Sequence, residues 1–112
     1  MKRRLEATSA QLPFGELDDL LQHRARLGAA VLLARHQQLS FSRLKALLDE
    51  TDGNLGAQMR KLEDAGYVVA RKEFQDRRPV TWYALTAKGN RALSQHLAHL
   101  ERLIQHARRA QG

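Results

Sequence analysis

Apolar residues recur at helical spacing in the first third of the chain. Within residues 15–35 they are separated by three or four positions, or by near multiples of that spacing: Leu17, Leu20, Leu21, Leu27, Val31 and Leu32. This period predicts an amphipathic helical segment that ends near Arg35. The pattern is compatible with one long helix and equally with two helices that break near His23 and Arg24.

Two shorter amphipathic helices follow. The first has an apolar stripe that consists of Phe41, Leu44, Leu47 and Leu48. Ser40 or Ser42 can supply its N-cap, because a serine hydroxyl accepts hydrogen bonds from the first turn. The second starts at Thr51, buries Leu55, Met59 and Leu62, and ends before Gly66, where a left-handed residue is favoured. A short helix, a tight link and an amphipathic helix form a helix-turn-helix.

The spacing of apolar positions then changes from a period of 3.6 residues to a period of two. Residues 67–74 and 80–85 are predicted strands, and the polar segment 75–79 is the predicted tip of their hairpin. Thr86 can cap a final helix, whose apolar seam is Leu93, Leu97, Leu100, Ile104 and Ala107. The predicted fold is mainly α with a small β-hairpin wing. It is a winged helix-turn-helix with N- and C-terminal dimerisation helices, divided into a basic mobile arm (1–13), a winged-helix domain (14–90) and a dimerisation helix (91–112).

Composition narrows the possible functions. The chain has 112 residues and no cysteine, so we expect one domain without disulfides or thiolate metal sites. It has no apolar run of the ~20 residues that a membrane span needs, so we expect a soluble protein. The absence of cysteine suits the reducing cytoplasm, where we expect the protein to reside. Its 19 Lys and Arg outnumber 12 Asp and Glu for a net charge of +7, and this excess favours a polyanionic partner.

The exposed side of the third predicted helix carries side chains that can bond base edges. These are Asn54, Gln58, Arg60 and Lys61, separated by the small residues Gly53, Gly56 and Ala57. A helix of this kind fits the major groove of DNA, and the small residues allow a close approach. Any solvated helix would carry a similar surface, so the choice of DNA depends on the wing.

The predicted wing tip concentrates positive charge. Arg77 and Arg78 are adjacent, Lys72 precedes them on the strand, and two arginines on a stiff loop suit the minor groove. The alternative is a solvated loop whose charges serve solubility. Ser42 and Arg43, at the start of the second helix, are candidates for phosphate contacts, although Ser42 could equally be a plain helix cap.

Other chemistry has little support in the sequence. There is no Gly-rich phosphate loop, no paired acids and no nucleophile beside a base, so we predict no catalytic residues and no enzyme. His96, His99 and His106 could form half of a metal site at a dimer interface, but exposed polar positions beside the leucine seam explain them better. We therefore predict no metal and no cofactor.

Taken in order, three motifs resemble small winged-helix transcriptional regulators of the MarR, ArsR and PadR groups. The motifs run from Thr51 to Val68, from Arg77 to Thr81 and from Leu85 to Gly89. The resemblance implies a homodimer that binds palindromic promoter DNA, with the third helix in the major groove and the hairpin tip at the minor groove. It assigns to DNA the residues Asn54, Ala57, Gln58, Arg60, Lys61, Arg77 and Arg78.

We therefore predict a homodimeric transcriptional regulator that binds double-stranded DNA, more specifically a repressor. Its predicted DNA contacts also include Ser42, Arg43 and Lys72. Its predicted dimer interface consists of Leu17, Leu20, Leu21, Leu93, Leu97, Leu100 and Ile104. Two alternatives stay open at this point: a winged helix that pairs with a protein, and one that binds RNA.

Overall fold

The computed structural model describes residues 17–112 of the chain. A single 3-10 turn (Asp19–Gln22) precedes helix α1 (Arg24–Arg35), strand β1 (Leu39–Ser40), and helices α2 (Phe41–Leu48) and α3 (Asp52–Asp64). Strands β2 (Val68–Gln75) and β3 (Arg78–Leu85) and the long helix α4 (Ala87–Gln111) complete it. This is the predicted winged helix-turn-helix. The predicted basic arm 1–13, with Lys2, Arg3 and Arg4, lies outside the described residues.

The first helical segment is broken at His23, so the two-helix alternative is correct. Asp18 caps the 3-10 turn by accepting a hydrogen bond from Leu20 N at 2.9 Å. His23 is extended at a φ of −74° and a ψ of 131°, and its Nδ1 accepts from Ala25 N at 3.1 Å. The same residue therefore ends the turn and caps α1.

The helix-turn-helix follows its predicted caps. Ser40, not Ser42, caps α2 by accepting from Arg43 N at 3.1 Å, and Thr51 caps α3 by accepting from Asn54 N at 3.1 Å. Asp49 lies between the helices at a φ of 53°, a left-handed conformation that a short aspartate side chain tolerates. The link between α2 and α3 is thus a tight turn.

The wing, defined here as residues 68–85, belongs to a three-stranded antiparallel sheet of order β1-β3-β2. Its tip is shorter than predicted. Gln75 pairs with Arg78, so the connection is the two-residue turn Asp76-Arg77, both at positive φ (51° and 66°), and Pro79 already lies in β3. Strand β1 was not predicted; it pairs with Tyr83 and Trp82 of β3.

The core sits between the helices and one face of the sheet. Its largest fully buried apolar side chains are Leu21, Leu44, Leu55, Met59 and Leu62. Leu21 and Leu93 were predicted in a dimer interface, but they are 0% and 3% exposed inside the chain's own core. That part of the prediction needs correction, because a side chain covered by its own chain has no surface left for a partner.

Helix α4 is continuous across the predicted domain boundary at residues 90–91. Thr86 caps it, with its Oγ1 accepting from Gly89 N at 3.0 Å and donating to the carbonyl oxygen of Gly66 at 2.6 Å. Gly66 has the predicted left-handed conformation, at a φ of 78°. Thr86 therefore fixes the start of α4 to the end of α3. Within residues 17–112, no helix has the length and apolar character to cross a membrane.

Candidate nucleic-acid interface

Helix α3 presents an open side to solvent. Ala57, Arg60 and Lys61 are exposed on it. A Cβ atom built on Gly53 or Gly56 would have no neighbour within 4 Å, so the backbone at both glycines can be approached closely. This surface suits a helix that enters a groove, because small residues flank the cationic side chains.

Two of the predicted base-reading residues have partners inside the protein. Gln58 is 8% exposed, its Oε1 accepts a hydrogen bond from Arg26 Nη1, and its Nε2 donates to Asn54 Oδ1 at 3.3 Å. Asn54 Nδ2 in turn donates to Glu50 Oε2 at 2.6 Å. Arg26 also donates from Nε to the carbonyl oxygen of Leu20 at 2.6 Å. The expectation that Gln58 is exposed was therefore wrong.

The cause of this burial is tertiary. Gln58 follows Leu55 by three positions and precedes Met59, so it lies at the edge of the buried stripe of α3, where Arg26 from α1 reaches it. In the sequence, the position of Gln58 next to Met59 was the signal that could have indicated its burial. A buried amide needs partners, and the polar chain from Arg26 through Gln58 to Asn54 supplies them while it fixes α3 against α1.

A groove separates α3 from the wing. It encloses about 580 Å³, and its lining residues are Phe41, Gly56, Arg60, Glu63, Asp64, Ala70, Lys72, Thr81 and Tyr83. Arg60 lines it from α3 and Lys72 from β2, so each of its two walls includes a cationic residue. The acids Glu63 and Asp64 lie on the α3 wall of the groove. The open side of α3 and this face of the wing are thus neighbouring surfaces.

The end of the wing carries exposed charge. Arg77 and Arg78 are both exposed, Arg77 in the turn and Arg78 at the start of β3. Farther along the sheet face that carries Arg78, and away from the groove, Arg71 is paired with Glu73, and its Nη2 donates to Gln38 Oε1 at 3.2 Å. Ser42 and Arg43 are also exposed, and Ser42 is not used as a cap.

Titratable side chains meet at the N-terminal segment, away from this groove. Asp18 N donates to Nδ1 of His96 at 3.0 Å, and the hydroxyl of Tyr67 donates to Asp18 Oδ2. Burial lowers the pKa of His96, an effect that the Asp18 charge opposes and His99 reinforces. Burial and the hydrogen bond to Asp18 raise the pKa of Tyr67 to about 12. The cluster joins three distant parts of the chain.

The three histidines considered for a metal are not assembled into a site. His96 is 2% exposed and accepts the Asp18 bond, and His99 Nδ1 lies 2.7 Å from Arg102 Nη2. Over residues 17–112, no three His, Cys, Asp or Glu side chains are placed together to hold a metal ion.

The remaining predicted interface leucines are accessible. Leu97 and Ile104 are 40% and 48% exposed on α4, and Leu17, Leu20 and Leu100 are half-buried. Beyond His96, no side chain of α4 is buried. The second half of α4 therefore carries an apolar seam that the rest of residues 17–112 leaves uncovered.

Solved structures share this architecture. A transcriptional regulator homologue from Pyrococcus horikoshii OT3 is 28% identical, with a TM-score of 0.73 over 96% of this chain and 98% of that one. MarR is 18% identical, with a TM-score of 0.73 over 96% and 78% of the two chains. PcaV from Streptomyces coelicolor, solved with its natural ligand, is 16% identical, with a TM-score of 0.69 over 93% and 72%. No curated protein matches the chain.

The fold and the groove beside α3 define a winged-helix protein of the MarR structural type. The winged helix DNA-binding domain family matches residues 25–104. The chain belongs to that family. The predicted fold and the predicted resemblance are therefore confirmed.

Proposed function

We propose that this protein is a cytoplasmic, sequence-specific regulator that binds double-stranded promoter DNA as a homodimer and acts as a repressor. The observation that carries the proposal is the groove shared by α3 and the wing, whose lining includes the cations Arg60 and Lys72. An α-helix fits the major groove, and a cationic tip fits the more negative minor groove beside it. Family membership and the transcriptional regulator homologue support the same function.

The exposed cations divide into two roles. Arg60 and Lys61, with Ala57 between small neighbours, are the α3 side chains that reach base edges without breaking an internal bond. Asn54 and Gln58 remain candidates for base contacts, but each would first have to exchange a hydrogen bond within the protein. The phosphate contacts come from exposed residues around the groove: Ser42, Arg43, Lys72, Arg77 and Arg78.

The dimer uses the uncovered seam of α4. Leu97, Leu100 and Ile104 keep helical spacing on the part of α4 that leaves the core, and a second copy of the same helix can cover them. Leu17 and Leu20 border this interface. A two-fold dimer presents two α3 helices, which requires a pseudo-palindromic operator with half-sites about one helical turn apart.

Salt-dependent titration tests the proposal. If the dimer makes about 6–10 phosphate contacts, affinity for a selected duplex falls by about 10³–10⁵ between 50 and 200 mM salt. Arg77→Ala and Arg78→Ala each weaken binding to all duplexes, whereas Arg60→Ala changes the preferred sequence. Arg91→Ala removes the same charge from the side of α4 that faces away from the seam, where Arg91 is exposed, and serves as the matched control.

The outcomes separate the alternatives. The deep and narrow major groove of an RNA duplex does not admit a helix. Equal affinity for an RNA duplex would therefore mean that binding does not depend on α3 in a major groove, and it would favour an RNA-binding module. A salt-independent affinity that the wing variants leave unchanged would contradict the proposed docking face. A promoter that stays fully active in the presence of bound protein would contradict repression.

A further inference from the structure

Phe74 is an aromatic side chain that the fold leaves uncovered. It is 77% exposed, more than the other exposed large apolar residues of the described chain, and it lies in β2 close to the tip of the wing. Its cross-strand partner is Pro79, which is also exposed. Such a pair contributes nothing to the core. Single exposed apolar residues are common, so the position of the pair matters more than its exposure.

The pair lies on the face of the wing that lines the groove. Side chains alternate along a strand, so Phe74 shares a face with Ala70 and Lys72, both of which line the groove beside α3. Pro79 likewise shares a face with Thr81 and Tyr83 on β3. From α3 outward, this face therefore carries the buried aromatic Tyr83, then the cation Lys72, then the apolar pair, and it ends at the turn that holds Arg77. Arg78, opposite Gln75, lies on the other face of the hairpin.

This order fits the surface of a DNA duplex. With α3 in a major groove and the tip at the adjacent minor groove, the face between them must cross the sugar–phosphate strand that separates the two grooves. Lys72 then meets a phosphate. Phe74 and Pro79, about two residues or ~7 Å nearer the tip, meet the next uncharged part of that strand, which is deoxyribose.

We propose that Phe74 and Pro79 form a non-ionic contact with the deoxyribose surface between the two grooves. The proposal deepens the proposed function and rests on it, since it assumes that the same face docks on DNA. The flanking cations Lys72 and Arg77 select a polyanionic partner over an apolar protein surface. The contact supplies affinity that does not require counterion release, so it persists at salt concentrations that weaken the ionic contacts.

The test compares salt slopes of variants in the full chain with the same duplex. Phe74→Ala should weaken binding about tenfold at every salt concentration and leave the slope of log affinity against log salt unchanged. In a dimer with two such contacts, this change corresponds to withdrawing roughly 55 Å² of apolar surface in total, or about 28 Å² for each protomer, at ~25 cal/mol/Å². Arg77→Ala should instead reduce the slope by about one for each phosphate that the protein no longer neutralises, hence by about two for a dimer.

Two variants serve as controls. Val69→Ala removes an apolar side chain that is 55% exposed on the opposite face of the same strand, and it should bind as the wild type does. Phe74→Leu keeps most of the apolar surface and should recover most of the affinity. An unchanged thermal midpoint for each variant confirms that the hairpin is intact.

The outcomes distinguish this proposal from the function on which it rests. If Phe74→Ala binds like the wild type while Arg77→Ala weakens binding, the deoxyribose contact is overturned and the regulator stands. If Phe74→Ala alters the salt slope or the oligomeric state, the pair acts through the cations or a protein contact, and the proposal also fails. If no duplex binds with a salt-dependent affinity, the proposed function itself fails.

Discussion

Arg77 adopts a left-handed conformation, with a φ of 66° in the second position of a two-residue turn. Glycine is favoured there, because a Cβ atom crowds the following carbonyl oxygen and costs about 1 kcal/mol. Asp76, at a φ of 51°, tolerates the same region better because aspartate can bond locally. The arginine thus occupies a strained position at the exposed tip of the wing, one in which glycine would be less strained.

This strain leads to a prediction about stability and binding together. Arg77→Gly should raise the free energy of unfolding in urea by about 1 kcal/mol while it weakens DNA binding. Arg77→Ala removes the same charge but keeps the Cβ atom, so its stability should stay near that of the wild type. A glycine variant less stable than the alanine variant would contradict the strained turn.

His96 links stability to pH. Its Nδ1 accepts a hydrogen bond from Asp18 N, so the folded protein requires the neutral imidazole, and burial lowers its pKa below the ordinary 6.5. The unfolded chain therefore binds this proton more readily. The groups that face His96 are the Asp18 carboxylate, which opposes the lowering, and His99, which adds to it.

The sign of the effect follows from linkage. The contribution of neutral His96 to the free energy of unfolding is complete above pH 6.5. It is lost as the pH falls from 6.5 through the lower pKa of the folded state, by at most about 1.4 kcal/mol per pH unit. His96→Asn keeps an acceptor for Asp18 N but cannot titrate. Urea unfolding from pH 7.5 to 5 should show a smaller decline in this variant. The exposed His36→Asn control should keep the wild-type decline, and equal slopes in all three proteins would refute the assignment.

At the scale of elements, the junction between the sheet and α4 depends on one glycine. A Cβ atom on Gly89 would lie 2.0 Å from the carbonyl oxygen of Tyr67, which already accepts from Thr86 N at 3.0 Å. The first turn of α4 therefore packs directly on backbone, and neither partner can move without disturbing the cap at Thr86.

Two glycine substitutions should have opposite effects. Gly89→Ala should lower the free energy of unfolding by about 1–3 kcal/mol, because the added methyl group overlaps backbone. Gly56→Ala places the same methyl group in open space within α3, so it should raise the free energy of unfolding by about 0.5–1 kcal/mol. Urea denaturation of both variants checks the pair, and a tolerated Gly89→Ala would show that the junction is looser than described.

Elements set by nearby residues were predictable from the sequence. Thr51, Thr86 and Gly66 were each assigned to the end of a helix, and each has its predicted role because capping involves residues within one turn. The wing strands were also predicted, although Pro79 suggested a longer tip than the two-residue turn that forms. Proline fits in β3 here, since β1 pairs only with Trp82 and Tyr83 and leaves that edge open.

Features set by distant residues were not predictable. Strand β1 has two residues and exists only through pairing with β3, so it leaves no periodic signal. The burial of Gln58 depends on Arg26, which is 32 positions away. Leu21 and Leu93 fit a helical seam equally well as core or as interface, because spacing alone does not say which neighbour covers a leucine.

At the scale of the whole molecule, the two ends of the α4 seam should behave differently. Ile104→Asp places a charge on a side chain that is 48% exposed, so it should dissociate the proposed dimer and leave the monomer folded. Leu93→Ala empties a core position and should cost about 2–5 kcal/mol of unfolding free energy. Analytical ultracentrifugation and urea denaturation measure the two effects. An Ile104→Asp protein that remains a dimer would show that the interface lies elsewhere.

The unbroken course of α4 has a consequence for the operator. The helix starts at Thr86, which is bonded to the end of α3, and it runs without a kink-forming residue to the proposed partner contact. Its 25 residues span about 37 Å, so in the proposed dimer it would hold α3 at a fixed distance from the contact with the second copy. Two such helices would then set a single separation between the two copies of α3. We therefore expect one extra base pair at the centre of the proposed operator, which rotates one half-site by roughly a tenth of a turn, to weaken binding.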